Sequence, residues 1–208
     1  MSFPARRYPV TARYLDSLPN GLDSYPECLA RTDARDNVRR EFSEIGNDSD
    51  LPPIIRDFFH DRYKDNWIPE VVSGTLLLLA RDVGFKSDDD FLAWCYKAHS
   101  SLYLKPHYKI IIYILSPTLL LPGATGRWST FHRGSTLTPQ PIVKEGNFFQ
   151  GYGTLTFPPR LFNELLIRVQ RGAYQAAIDA TKVKDSQIEI TEMTDTSASL
   201  SFRWSVNG

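Results

Sequence analysis

The chain has 208 residues, with 24 basic side chains, 24 acidic side chains and a hydrophobic fraction of 42%. This length and composition are typical of one globular domain and argue against a wholly disordered chain. A net charge of zero argues against a general nucleic-acid or membrane-surface binder, because such proteins need an excess of Lys and Arg. Two distant cysteines, Cys28 and Cys95, predict neither a disulfide framework nor a zinc site.

The charge is distributed unevenly along the chain. Residues 1–100 carry 17 acidic and 13 basic side chains, whereas residues 101–208 carry 7 and 11. The simpler interpretation is that the first half has more exposed helix surface, since salt screens exposed charges beyond about 8 Å. The alternative interpretation is that the two halves, or two copies of the chain, attract each other.

No secretory signal or membrane span is predicted. The N-terminus contains two arginines but no apolar stretch behind them. The apolar runs 71–80 and 110–121 are much shorter than the ~20 residues needed to cross a bilayer. We therefore predict a cytoplasmic protein with reduced thiols.

Residues 1–25 are rich in Pro, Gly and Tyr and show no hydrophobic period. This pattern predicts an extended N-terminal arm. Its aromatic side chains Phe3, Tyr8 and Tyr14 are expected to pack on the body of the protein or on a partner.

Residues 26–134 are predicted to form a helical subdomain. A spacing of four among Ala30, Ala34, Val38 and Phe42 predicts a helix that opens near Pro26. Ser87 and Asp90 form a capping-box pattern, which predicts the start of another helix and explains three adjacent aspartates without a metal ion. Trp67 is expected in a connection. The other helices are predicted to begin near Pro52, to cover 69–84 and 106–116, and to begin at Pro117. Residues 127–133 are expected to close this helical half before Gly134.

Residues 135–208 are predicted to form an α+β subdomain that packs with the helical one as one domain. An edge strand or irregular ribbon is expected over 135–149 and a strand over 151–157. A helix is expected from Pro159, with Gly172 as a weak point or as a break between two helices. An alternating hairpin closes the chain, led by Ile188 and Ile190 and then by Leu200, Phe202, Trp204 and Val206. Helices followed by β-β-α-α-β-β predict an α+β fold with an antiparallel sheet.

One candidate ligand site lies on the helix that Ser87 caps. Cys95 and His99 are four residues apart, so both could face one centre near Tyr103. This spacing is compatible with a haem or metal ligand. The alternative is an ordinary histidine, because no second His/Cys pair shares the spacing.

A second candidate site is the cluster of Arg127, Trp128, His132 and Arg133. Its cations and aromatic rings could hold an anion or a carboxylate ligand. The alternative is a helix C-terminus whose Arg and His side chains satisfy the last carbonyl groups. The sequence shows no nucleophile elbow, P-loop or dinucleotide fingerprint, so no catalytic residue and no metal site is predicted.

Several stretches carry a family resemblance: Asp88-Asp-Asp-Phe-Leu-Ala-Trp, Gly153-Thr-Leu-Thr-Phe-Pro-Pro, the helix through Gly172, Ile188-Glu-Ile and the final Ser-Phe-Arg-Trp. Together they resemble an uncharacterised myxobacterial family that is similar to haem-nitric-oxide-binding (H-NOX-like) and 4-vinyl-reductase domains. The resemblance implies an α+β fold with a pocket between helices and sheet. Members of the wider group bind haem or small hydrophobic ligands and signal to partner proteins. The Tyr-x-Ser-x-Arg motif that holds the haem propionates is missing here.

These observations lead to one functional hypothesis and two alternatives. The hypothesis is a non-enzymatic binding or adaptor module in bacterial signalling or regulation, acting through a protein interface, with or without a small apolar ligand. Its partner is another protein or a second copy of the chain, for which the β-edge at 135–149 offers a dimer surface. The alternatives are a haem- or gas-sensing protein with His99 as ligand and an enzyme with a site near Arg127–Arg133. No cofactor is predicted outside the haem alternative.

Overall fold

The structure is a computed structural model that describes residues 3–103, 123–181 and 183–205. Helices and antiparallel sheets occur together in these residues, so the predicted α+β class is confirmed. The α-helices are α1 (Pro9–Asp16), α2 (Asp36–Glu41), α3 (Pro53–Phe59), α4 (Glu70–Gly84), α5 (Asp88–Tyr103), α6 (Ala124–Phe131) and α7 (Glu164–Asp179). The strands are β1 (Leu29–Arg31), β2 (Trp67–Pro69), β3 (His132–Arg133), β4 (Thr136–Pro139), β5 (Val143–Glu145), β6 (Phe148–Thr156), β7 (Gln187–Met193) and β8 (Ser197–Ser205).

Some sequence predictions fall outside the described residues. These are the helix over 106–116, the helix from Pro117 and the strand position Val206. Among the helices that the structure describes, none combines the length and the apolar character that a membrane span requires.

The chain forms two compact units. Unit 1 comprises Met1–Phe91, Phe131–Gly134 and Pro158–Leu161, and unit 2 comprises Leu92–Thr130, Ser135–Phe157 and Phe162–Gly208. Unit 1 therefore includes two short segments from the second half of the chain, and one of them contains all of β3. The predicted subdomain boundaries at residues 25 and 134 stay predictions.

Unit 1 contains a small antiparallel sheet in the order β2-β1-β3. Ala30 pairs with Ile68 on one side and with His132 on the other. The prediction of one helix from Pro26 to Gly46 is therefore wrong, since residues 29–31 are a strand and the α-helix in this range covers only Asp36–Glu41. The spacing of four misled because Ala30 is buried by pairing with two distant strands and not by a helix face.

Local signals predicted the starts of α3 and α5 and the extent of α4 correctly. α3 begins at Pro53, α4 covers Glu70–Gly84 and α5 begins at Asp88. The Ser87 cap is confirmed, because the backbone N of Asp90 donates to Ser87 Oγ at 3.1 Å and Ser87 Oγ donates to Asp90 Oδ2 at 2.7 Å. The side chains of Ser87 and Asp90 thus cap the N-terminus of α5.

The N-terminal segment packs on unit 1 but is not extended. Residues 9–16 form α1, so the predicted extended arm is wrong there. Asp82 of α4 caps α1 from a distance: its carboxylate accepts the backbone N–H groups of Val10 at 3.1 Å and Thr11 at 3.0 Å. The first N–H groups of a helix have no acceptor within the helix, and no neighbouring residue supplies one here. The distant carboxylate of Asp82 accepts them and places a negative charge at the positive end of the helix dipole. The expected burial of Tyr8 and Tyr14 is confirmed at 2% exposure each.

Asp48 connects Arg7 and Tyr8 to the rest of unit 1. Its Oδ2 accepts hydrogen bonds from the Tyr8 hydroxyl at 2.7 Å and from Arg7 Nη1 at 2.9 Å, and its Oδ1 accepts the backbone N–H of Asp50 at 3.0 Å. Burial alone would raise the pKa of Asp48, but the hydrogen bonds from Tyr8, Asp50 and Arg7 outweigh it and lower the pKa.

This lowered pKa predicts a pH-dependent contribution to stability. A carboxylate with a lower pKa in the folded state stabilises fully above its unfolded value of about 3.9, and that contribution is lost as the pH falls through the folded value. We expect Asp48→Asn to lower the free energy of unfolding at pH 7 by about 1–3 kcal/mol. Urea unfolding at pH 7 and pH 3 measures it, with the exposed Asp16→Asn as control. An equal deficit at both pH values would contradict the assignment.

Unit 2 is built on a larger antiparallel sheet in the order β4-β6-β8-β7, with β5 also pairing with β6. The predicted order β-β-α-α-β-β is wrong in detail, since three strands precede a single helix. α7 continues through Gly172 and begins at Glu164, where Asn163 Oδ1 accepts the N–H of Leu166 at 2.9 Å. The predicted closing hairpin is confirmed as β7–β8. Its inner face forms an apolar cluster with the end of α7: Ile178, Ile188, Leu200, Phe202 and Trp204.

Candidate functional site

Strand β3 directs two neighbouring side chains to opposite faces of the small sheet. His132 is buried at 9% exposure, whereas Arg133 is exposed. This follows from the alternation of side chains along a strand. α6 ends at Phe131, and His132 and Arg133, which the sequence predicts to close the helical half, lie in strand β3 instead.

Beneath the sheet, His132 forms a buried polar contact with Glu70. The Nδ1 of His132 lies 2.8 Å from Oε2 of Glu70, whose side chain is 2% exposed. The backbone N–H of Glu70 also donates to the carbonyl of Cys28 at 2.7 Å. A buried carboxylate is costly without such partners. The two contacts therefore fix the first residue of α4 to β3 and to the residue that precedes β1.

Above the sheet, the Arg–Trp face consists of Arg31, Trp67 and Arg133. The guanidinium carbon of Arg133 lies 3.9 Å from the centroid of the Trp67 ring, and that of Arg31 lies 5.9 Å from it. Arg31 also forms an ion pair with Asp33 at 2.9 Å. Within the part of the chain that the structure describes, the guanidinium of Arg133 forms no hydrogen bond and no ion pair. It is thus held against an aromatic ring with its N–H groups available to a ligand.

The turn after β3 depends on close packing between Gly134 and Cys28. Gly134 has φ +77°, and a Cβ at this position would lie 2.5 Å from Cys28 Sγ. Burial raises the pKa of Cys28 to about 11, and the charges of Glu27 and Glu70 add to the rise. Cys28 is therefore a neutral thiol at physiological pH, which suits packing and not nucleophilic chemistry.

Arg127 and Trp128 belong to unit 2, whereas His132 and Arg133 belong to unit 1. Trp128 is buried in unit 2, where its ring packs on Phe162 and its Nε1 donates to the carbonyl of Ser135 at 3.2 Å. Arg127 is half-buried beside Gly123. The predicted cluster of four residues is thus divided two and two between the units.

The other predicted site lies on α5. Cys95 is buried and His99 and Tyr103 are half-buried. Across residues 3–103, 123–181 and 183–205, no group of three or more His, Cys, Asp or Glu side chains could hold a metal ion. Haem ligation by His99 stays a prediction, and an absorption spectrum of the protein mixed with haem would test it.

Sequence reasoning selected Arg133 but missed the residues that position it. The sequence predicts a connection at Trp67 and a helix over 69–84, and nothing in it singles out Glu70. The one sequence signal at Glu70 is its position in the first turn of a helix after Pro69, where an acidic side chain suits the helix dipole.

A scan against models of known protein families finds no match to this chain, and a search among curated proteins finds none either. The resemblance to H-NOX-like and 4-vinyl-reductase domains therefore stays a prediction. The structure shows an α+β protein that carries an Arg–Trp face on a small antiparallel sheet.

Proposed function

We propose that this chain is a non-enzymatic binding module of bacterial signalling or regulation. In this proposal the Arg–Trp face docks an acidic segment of a partner protein. The observation that carries the proposal is the guanidinium of Arg133, which stacks on Trp67 at 3.9 Å and has no acceptor among the described residues.

Stacking prepares Arg133 for a carboxylate in two ways. The indole covers one face of the guanidinium, so its N–H donors point outward along its edges in a planar fork that fits the two oxygens of a carboxylate. The stack also restricts the side chain before binding, so less conformational entropy is lost on association. Arg and Trp are among the residues that most often dominate the energetics of protein interfaces.

The buried contact beneath the sheet supports this arrangement. His132 is anchored to Glu70, and the neighbouring residue of the same strand is Arg133. Leu29 pairs with Arg133 and Arg31 pairs with Trp67, so one register sets the spacing of the whole face. Glu70 and His132 are positioning residues in this scheme.

The proposal includes a cytoplasmic location, and it is compatible with self-association of the chain. Cys28 and Cys95 are both buried free thiols, which is the usual state in a reducing compartment. The acidic segment could belong to a second copy of the chain, in which case light scattering would report a dimer that Arg133→Ala dissociates.

The test uses a fluorescently labelled hexaglutamate peptide as an acidic probe. We expect the anisotropy of the peptide to rise on binding and Arg133→Ala to weaken the affinity at least tenfold, about 1.4 kcal/mol. Arg133→Lys should recover only part of the loss, because lysine keeps the charge but not the planar fork. Arg40→Ala is the matched control, since this arginine of α2 is 69% exposed and lies outside the face.

Three results would count against the proposal. The native chain fails to bind the peptide at millimolar concentration, Arg40→Ala weakens binding as much as Arg133→Ala, or Trp67→Leu leaves the affinity unchanged. The last result would mean that charge alone attracts the peptide and that the stacked geometry plays no part.

A further inference from the structure

The polar face of the unit 2 sheet contains an open groove of about 410 Å³. It is lined by outward-facing side chains of β5, β6, β7 and β8, and all of them are polar except Phe148. The opposite face of these strands carries the apolar cluster with α7. The groove therefore lies on the side of the sheet that faces away from the apolar core of unit 2.

Arg203 provides the positive charge of this groove. Its guanidinium carbon lies 3.8 Å from the centroid of the Phe148 ring, and the register places Gln150 and Gln187 on either side of it. Among residues 3–103, 123–181 and 183–205, the guanidinium of Arg203 has no hydrogen-bond acceptor and no ion-pair partner.

Glu189 provides a negative charge at a fixed position close by. It pairs with Ser201 across β7 and β8, which makes it a diagonal neighbour of Arg203, at a Cα separation of about 7–8 Å. Gln187 Nε2 donates to Glu189 Oε1 at 2.6 Å and orients the carboxylate. The described residues nevertheless form no ion pair between Arg203 and Glu189. Glu145 adds a second carboxylate from β5.

We propose that this groove binds a zwitterionic small molecule, an α-amino acid with a polar side chain. The carboxylate of the ligand accepts hydrogen bonds from Arg203, and its ammonium group donates to Glu189. A simple anion would meet two glutamates, and a simple cation would leave Arg203 unpaired, so only a ligand with both charges complements the groove. The amides of Gln150 and Gln187 match a side chain that both donates and accepts hydrogen bonds.

The residues that line this groove all belong to unit 2, whereas those of the Arg–Trp face belong to unit 1. The groove is open to solvent, so exposed charge pairs contribute little each and we expect a dissociation constant in the millimolar range. Such an affinity would suit a sensor of an abundant metabolite.

The test titrates L-glutamine into the full ¹⁵N-labelled chain and follows backbone amide shifts by NMR. We expect saturable shifts in β6, β7 and β8. L-Glutaminamide lacks the carboxylate and glutaramic acid lacks the ammonium group, and each should bind at least fivefold more weakly. Arg203→Gln and Glu189→Gln should each weaken L-glutamine by a similar factor. Arg62→Gln, an exposed arginine of unit 1, is the control of equal charge change.

The titrations with L-glutamine and with its two analogues can each overturn the proposal. It fails if 20 mM L-glutamine leaves the β6–β8 shifts unchanged, or if both half-ligands bind as well as L-glutamine. It also fails if glutaramic acid alone binds equally well, since the groove would then be an anion site. The exposed positions of Arg203 and Glu189 keep the variants folded, and their unchanged spectra outside the sheet verify this.

Discussion

Replacing Glu70 by alanine is expected to lower the free energy of unfolding by about 3–5 kcal/mol, the cost of breaking a buried pair. The variant leaves His132 buried with no carboxylate at Nδ1 and opens a cavity at the start of α4. Urea unfolding at pH 7, followed by circular dichroism, measures the loss.

The companion variant Glu70→Gln separates charge from shape. Glutamine keeps the size of the side chain and offers an amide oxygen to the imidazole, so we expect it to cost about 1–2 kcal/mol, the value of one weakened hydrogen bond. A double variant with leucine at both Glu70 and His132 should be more stable than Glu70→Ala, because it removes both polar groups together. Equal losses for the alanine and glutamine variants would contradict this expectation, because they would assign the whole effect to the charge of Glu70 and none to the size of its side chain.

Gly134→Ala is expected to destabilise unit 1 by about 2–5 kcal/mol, from a strained backbone and from overcrowding. The residue has φ +77°, and its new Cβ would lie 2.5 Å from Sγ and 2.9 Å from Cα of Cys28. Because the turn directly follows β3, we also expect the variant to weaken peptide binding at the Arg–Trp face. Thermal unfolding and peptide anisotropy measure the two effects.

Two further variants locate the cause of the Gly134→Ala effect. Gly126→Ala lies in α6 with open space around the new Cβ, so we expect a gain of about 0.5–1 kcal/mol from helix propensity. Adding Cys28→Ala to Gly134→Ala should recover only part of the loss, since the backbone Cα of residue 28 remains in the way. Full recovery would contradict the contribution of backbone strain.

The parts of the fold that sequence predicted correctly are those with a local cause. Ser87 and Asp90 stand three residues apart and interact within one turn, and the β7–β8 hairpin alternates over adjacent strands. The small sheet of unit 1 has no such signal. β1 has three residues and β3 has two, and such strands are too short to show a hydrophobic period. Ala30 pairs with His132 only through the tertiary fold.

The candidate site was predictable to the same limited extent. A cluster of cations and aromatic rings singled out Arg133 by composition. Its direction depends on strand alternation in β3, and its stacking depends on Trp67, which is far away in sequence and joins through β1. Spacing along the chain carries no information about the direction of Arg133 or its stacking on Trp67. Composition therefore indicates Arg133 as a candidate, and only the fold shows how its side chain is placed.

The pairing of Ala30 with His132 has a consequence for how the protein is made. The sheet of unit 1 closes a loop of about a hundred residues, and loop closure of that length is slow and entropically costly. During synthesis the first ninety residues emerge with one side of β1 unpaired until the segment around residue 132 leaves the ribosome. A nascent chain halted before that point would expose the strand edge of β1 and the buried carboxylate of Glu70. An unpaired strand edge of this kind favours aggregation, so we expect such a halted chain to need a chaperone.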